Sequence, residues 1–157
     1  MKASEMAILT TDPAKISLLA ELRQAVGEAA CLIGSDIPAR NLCDWSGVTP
    51  QAPLALIRPD TVEGVSAAVR ICARHGVSVV PQGGMTGLCG GAVATADAVA
   101  ISLERLAGIE EIDPAAATIT VKAGTILQTV QEAVADAGFF LPLDLGARGS
   151  CTIGGNL

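Results

Sequence analysis

Aromatic side chains are almost missing from this 157-residue chain, which has two Phe, one Trp and no Tyr. Proteins that grip single-stranded nucleic acid stack bases on aromatic rings, so the shortage argues against that role. Positive charge is also scarce: ten Lys and Arg against sixteen Asp and Glu leave a net charge of −6. A phosphate-backbone binder needs a basic face, and no nucleic-acid partner is expected. Histidine occurs once, at His75, and the five cysteines (Cys31, Cys43, Cys72, Cys89, Cys151) are scattered without a CxxC. Such a set does not spell a zinc site, and reduced, mostly buried thiols are the plain reading. No metal is expected. Long apolar runs are lacking too. Gly76 to Ala96 carries no charge, but its centre, "PQGGMTG", is polar and helix-breaking. A spanning helix needs roughly 20 predominantly apolar residues, so no transmembrane segment is expected. The opening "MKASEMAILTTDPAK" has Glu5 and Asp12 around a short apolar patch and no signal-peptide pattern, which makes cytoplasmic the expected location.

What is present reads as a globular domain: half of the residues are apolar and the length suits one core. "TDPAKISLLAELRQAVGEAA" predicts a helix, capped by Asp12 with Pro13 in its first turn and Ile16, Leu19, Leu22 and Val26 at helical spacing. "CLIGSDIPARNLCDWSG" lacks a period and predicts loop with short extended pieces, and "APLALI" a buried strand. "RPDTVEGVSAAVRICARHG" predicts a second helix with an Asp60/Glu63 capping box, an inner face of Val62, Val65, Val69 and Cys72, and a stop at Gly76. His75, at that helix's end, reads as a partner of its dipole. "VSVV" and "AVAISL" follow as strands, "IEEID" and "ATITVKA" as a strand pair joined at "PAA". "TILQTVQEAVADAG" predicts a helix with a Thr125/Gln128 box, Ile126, Val130 and Val134 inward, and a stop at Gly138. The order is mixed α+β with at least one βαβ unit.

Between "VSVV" and "AVAISL", five glycines (Gly83, Gly84, Gly87, Gly90, Gly91) crowd one loop. A second glycine-rich stretch, "GARGSCTIGGN", follows the last helix. Glycine costs conformational entropy in ordered chain, so such clusters need a reason. Either they are tight turns packed for space, or they aim consecutive N–H groups at an anion. The spelling GGxxGxxGG is neither the dinucleotide fingerprint GxGxxG nor a Walker A loop, which would need Lys and Ser/Thr after the last glycine. Two such loops in one small domain favour a long, polar, phosphate-bearing ligand. Asp144 and Arg148 in the second stretch are either loop-orienting and anion-binding groups or solvated charges.

"PQGGMTGLCGG" after a strand, and then "LPLDLGARGSCTIGGN", resemble the flavin-binding domain of the vanillyl-alcohol oxidase / p-cresol methylhydroxylase (PCMH) superfamily. Within it, the wording is most similar to the D-2-hydroxyacid dehydrogenases of the D-lactate, D-2-hydroxyglutarate and glycolate oxidase large-subunit type. "DWSGVTPQAPLALIRPDTVEGVSAAVRICARHGVSVVPQGG" also follows that family's opening, so the resemblance covers Asn41 to Leu157.

That resemblance implies the N-terminal part of a two-subdomain α+β fold: a small mixed, partly parallel sheet flanked by helices, plus the start of a second sheet. It divides the chain into a helix and lead-in over 1–40 and an incomplete FAD-binding domain over 41–157, an N-terminal fragment. It implies FAD as cofactor, with the amides of Gly83, Gly84, Met85, Thr86, Gly87 and Leu88 on the diphosphate and Pro81 fixing the loop's exit. Gly146, Ser150, Cys151, Gly154, Gly155 and Asn156 would pass the flavin ring and ribityl chain. Met85 stands where many relatives have Asn, and no histidine lies in the loop, so attachment is expected to be non-covalent. The implied reaction oxidises a D-2-hydroxyacid to a 2-oxoacid by hydride transfer to flavin N5, with electrons passing to an acceptor. No candidate base occurs here, so no catalytic residue is assigned and the isolated chain is expected to be weakly active or inactive, with association to cover its exposed surfaces. A cell-wall precursor flavin reductase, a molybdenum hydroxylase flavin subunit, and a truncated non-catalytic binding module are the alternatives.

Overall fold

A computed structural model describes residues 12–157. Asp12 accepts the Ala14 N–H at 2.9 Å and starts helix α1 (Pro13–Val26). Gly27 ends it in the left-handed region at φ +87°, four residues before the sequence suggested. A strand too short to show a period follows, β1 (Cys31–Leu32), paired antiparallel with β2 (Ala55–Ile57). Helix α2 (Val62–Arg74) leads to β3 (Val79–Gln82), and β4 (Val99–Ser102) lies between β2 and β3, parallel to both. The sheet order is therefore β1-β2-β4-β3. A separate hairpin, β5 (Ile109–Asp113) and β6 (Thr118–Val121), pairs antiparallel and precedes helix α3 (Leu127–Asp136). Asp113 accepts the N–H groups of Ala115 and Ala116 in its turn.

The core has one cluster on each face of the four-stranded sheet. Leu18, Leu19 and Leu22 of α1 and Ala68, Ile71 and Cys72 of α2 cover Ala55, Ile57, Val99 and Ile101. Ile37, Ala94 and Ala98 cover Leu56 and Ala100 on the other side. The buried face of α2 is Gly64, Ala68, Ile71 and Cys72, whereas Val62 and Val69 are exposed. Small residues explain the rotation. A Cβ on Gly64 would stand 3.1 Å from Thr61 Oγ1 and 3.2 Å from Pro59 Cβ, so the chain entering α2 packs where a side chain is missing. The exposed Ile16 and Ile126 give up their predicted inward places for similar reasons of facing, with Leu18 and Leu127 buried instead.

Two caps differ from the spelling. Thr61, not Asp60, caps α2 by accepting the Gly64 N–H at 3.1 Å. Helix α3 has no side-chain cap. The Thr125 hydroxyl accepts the Gly108 N–H at 3.0 Å and donates to the Lys122 carbonyl at 2.7 Å, fastening the hairpin to the helix start.

Candidate functional site

Parallel strands direct their carboxyl ends to one edge of a sheet, where ligands of open α/β sheets gather. Here β2, β4 and β3 end together, and the glycine loop leaves β3 at that edge. Gln82 anchors its entrance. Its buried amide donates to the carbonyls of Asn41 and Ala92 at 3.0 and 2.9 Å and accepts from the Asn41 side chain at 3.0 Å. Asp44 braces the other side. It accepts the Ser46 N–H at 3.0 Å, and Trp45 donates its N–H to the Gly87 carbonyl at 2.9 Å. The Ser46 hydroxyl and N–H beside it hold the Asp44 carboxyl below the usual carboxylate range.

Between these anchors the loop's donors are unused. No backbone N–H from Gly83 to Leu88 donates a hydrogen bond to the main chain among the described residues. Gly83 to Thr86 are half-buried or buried, and a run of consecutive uncommitted amides at such a place can form a cradle for an anion. Met85, at φ +57°, is the left-handed residue between Gly83 and Leu88, and alternation of right- and left-handed residues is how such nests are built. Its side chain is buried.

The second glycine-rich stretch lies directly on the first. A Cβ on Gly84 would stand 1.9 Å from the Ser150 carbonyl oxygen, and one on Gly83 would stand 2.4 Å from Thr152 Oγ1. That stretch also caps α3: the N–H groups of Leu127 and Gln128 donate to the carbonyls of Cys151 and Arg148 at 3.1 and 3.0 Å. Ile126 and Thr152 form an antiparallel bridge. A cavity of about 480 Å³, within the size range of small-molecule sites, opens where the loops meet and is lined in part by Gly84, Ser150, Thr152, Arg40 and Glu104. Thr152 Oγ1 is buried and has no hydrogen-bond partner among the described residues. Free amides, an orphaned buried hydroxyl and backbones packed too closely for side chains fit a polar, phosphate-bearing cofactor.

Of the residues expected at a cofactor, Gly84 and Ser150 line this cavity. Pro81 lies within β3, opposite Ile101 and exposed, on an edge strand where its missing N–H is tolerated. Thr86 is half-buried beside Met85, while Gly87 and Leu88 are exposed at the loop's far turn. Gly146 has open space around it. Cys151 is buried, with the Asn156 amide 3.5 Å from its sulfur. Gly154 packs on Ala123, whose carbonyl accepts its N–H at 2.8 Å, and Gly155 lies beside Thr152. Arg148 faces Asp144 at 3.6 Å, both exposed. His75 is occupied elsewhere: its Nε2 is 2.9 Å from Glu21, which also takes Arg74 at 2.7 Å, tying α2 to α1. Cys31, Cys72 and Cys151 are buried, Cys43 is half-buried and Cys89 exposed, all as free thiols. Among the described residues no cluster of His, Cys, Asp and Glu could hold a metal, and no helix is long and apolar enough to cross a membrane.

Sequence reasoning missed Gln82, Thr152 and the pair Arg40 and Glu104. The first two stand inside "PQGG" and "CTIGG" and could have been found by asking what orients each loop. Arg40 and Glu104 carry no local signal, because the sheet brings them together from 64 residues apart.

Comparison with known proteins agrees with this geometry. A family described as an FAD binding domain matches residues 53–157. D-2-hydroxyglutarate dehydrogenase of Xanthomonas citri pv. viticola is 45% identical over 114 residues, 73% of this chain and 24% of that protein. The mitochondrial D-2-hydroxyglutarate dehydrogenase of Danio rerio is 39% identical over 114 residues, 73% of this chain and 21% of that one. The chain thus spans under a quarter of the length of these curated relatives. Solved structures of alkyldihydroxyacetonephosphate synthase and of p-cresol methylhydroxylase with substrate bound share the fold. Their TM-scores are 0.78 and 0.73 at 19% and 22% identity, each covering 89% of this chain and 28% of the other.

Proposed function

The chain belongs to the FAD binding domain family, and from that premise we propose that it forms one wall of a non-covalent FAD site in an oxidoreductase acting on D-2-hydroxyacids. The observation that carries this reading is the run of unpaired amides from Gly83 to Leu88 at the carboxyl edge of the parallel strands. Those amides hold the diphosphate, with the Thr86 hydroxyl as an added donor. Neutral N–H dipoles let a chain of net charge −6 take a dianion without a basic patch. Gln82 and Asp44 keep the loop's two ends in place before the ligand arrives, so little ordering is left to the binding step. The stretch from Gly146 through Ser150, Cys151, Gly154 and Gly155 to Asn156 follows the ribityl chain and ring. Residues 41–157 constitute the cofactor-binding unit, and α1 buttresses it from behind the sheet. The lone histidine, paired with Glu21, offers no covalent link. When bound, the flavin supplies a hydride acceptor at N5, so a D-2-hydroxyacid leaves as the 2-oxoacid. Substrate and final electron acceptor bind to parts of the protein outside the residues assigned here. The hydroxyacid class rests on the names of the relatives above, together with the "PLDLGARGSCTIGGN" wording.

The test is a titration of the purified protein with FAD, followed by visible absorbance and by the fluorescence of its single tryptophan, Trp45, which is bonded to the loop. Saturable binding with a perturbed flavin spectrum is expected, and D-2-hydroxyglutarate should bleach the flavin of the full-length protein. A protein that FAD neither colours nor quenches at any practical concentration removes the reading.

A further inference from the structure

The cavity's lining carries one cation and one anion among the described residues, Arg40 and Glu104, and they are paired with each other. We propose that Arg40 is a further ligand for the cofactor's diphosphate, with Glu104 holding its guanidinium in place until the anion arrives. The inference rests on the FAD reading above.

Arg40 follows the loop's own anchor. Its chain neighbour Asn41 is buried and clamped to Gln82, the residue immediately before Gly83. On the other side, Gln82 lies opposite Ser102 in the sheet, and the Ser102 hydroxyl lies 3.3 Å from the Glu104 carboxylate. Glu104 and Gly84 follow the ends of the neighbouring strands β4 and β3, Arg40 lies in a 3-10 turn (Ala39–Asn41) between β1 and β2, and all three open on one cavity. The burial of the two charges differs: the Arg40 side chain is 57% exposed and that of Glu104 only 18%. The carboxylate is the fixed partner, and the guanidinium is free to swing. The guanidinium is mostly in solvent already, so moving it from the carboxylate to a diphosphate does not require it to be freed from a buried site. Guanidinium matches phosphate oxygens in a two-pronged geometry that ammonium cannot offer. The loop amides supply direction without net charge, so the chain would otherwise face a dianion with no full positive charge at the cavity. When Arg40 leaves, Glu104 keeps the Ser102 hydroxyl as a donor.

The experiment measures FAD dissociation constants for the wild type, Arg40→Gln and Glu104→Gln across a salt series, with riboflavin as the phosphate-free control. R40Q is expected to weaken FAD binding about tenfold, to flatten its salt dependence and to leave any riboflavin binding unchanged. E104Q is expected to tighten FAD binding and to keep the salt dependence, since it frees the cation. A salt slope unchanged by R40Q overturns the inference, as does an equal loss of FAD and riboflavin binding. Should R40Q fail to fold, E104Q decides alone: FAD binding that does not tighten overturns the proposal. Wild-type protein that binds no flavin would remove both this inference and the reading beneath it, whereas normal wild-type FAD binding with an unresponsive R40Q removes the inference only.

Discussion

At the scale of single residues, the glycines of the first loop divide by function. Gly90 takes φ +76°, a backbone shape that side chains resist, but Gly83 and Gly84 do not have positive φ. Their lack of a Cβ serves contact, because the two loops lie backbone against backbone at that point. The sequence left open whether these glycines serve packing or an anion. They serve packing at Gly83 and Gly84, and that packing leaves their N–H groups unspent. Gly84→Ala should therefore be severe. Its Cβ would fall 1.9 Å from a main-chain oxygen, which cannot rotate away, and about 3 kcal/mol of destabilisation is expected, the upper end for overpacking. Gly91→Ala, in the same loop with nothing within 4 Å and no positive φ, should change stability by less than about 0.5 kcal/mol. Chemical denaturation of the two variants checks the contrast. Equal stabilities would mean that the loops do not meet as described.

At the scale of elements, the caps show what a sequence conceals. "PDTVEG" offers Asp60 and Thr61 as adjacent capping residues, and spacing to Glu63 favours Asp60. The chain uses Thr61, whose hydroxyl reaches the Gly64 N–H at 3.1 Å, while Asp60 faces Arg105 at 3.5 Å in solvent. Thr61→Ala should accordingly cost about 1 kcal/mol, and Asp60→Ala should stay within about 0.5 kcal/mol, as exposed pairs usually do. Matching losses in a urea titration would contradict the assignment. The same contrast bounds how far the fold was legible. Helices of about three turns could be read because burial repeats along them, and β2 and β4 because they are unbroken apolar runs, buried at every residue. The two-residue β1 could not be, because it has no period to show. Helix α3 was located correctly but its start was misjudged, because Thr125 looks like a cap until Gly108 is folded against it. The loops were legible as loops. That one of them caps a helix with its carbonyls depends on tertiary contact alone.

At the scale of the whole molecule, charge is the property that reaches every part. Three carboxylates in separate regions are held below the ordinary range. Glu21 is lowered chiefly by its hydrogen bond to His75 and then by that to Arg74, Asp44 chiefly by Ser46, and Asp97 chiefly by the Thr95 hydroxyl at 2.5 Å. They tie α1 to α2, the glycine loop to its brace, and the lead-in of β4 to its turn. A carboxyl whose folded pKa lies below its unfolded value stabilises the fold fully above the unfolded value. That contribution is lost as pH falls through the folded one. The unfolded values are about 4, so the melting temperature should be nearly flat from pH 7 to about 5 and fall below about 4. Asp44→Asn isolates one contribution. The variant resembles the protonated acid, so it should melt below the wild type at pH 7, and the gap should narrow as pH falls below about 4 and the wild-type carboxyl takes up its proton. FAD affinity should follow the same course, because Asp44 braces the loop that carries the free amides. A difference between wild type and variant that stays constant across this range would show that the Asp44 charge does not hold the loop.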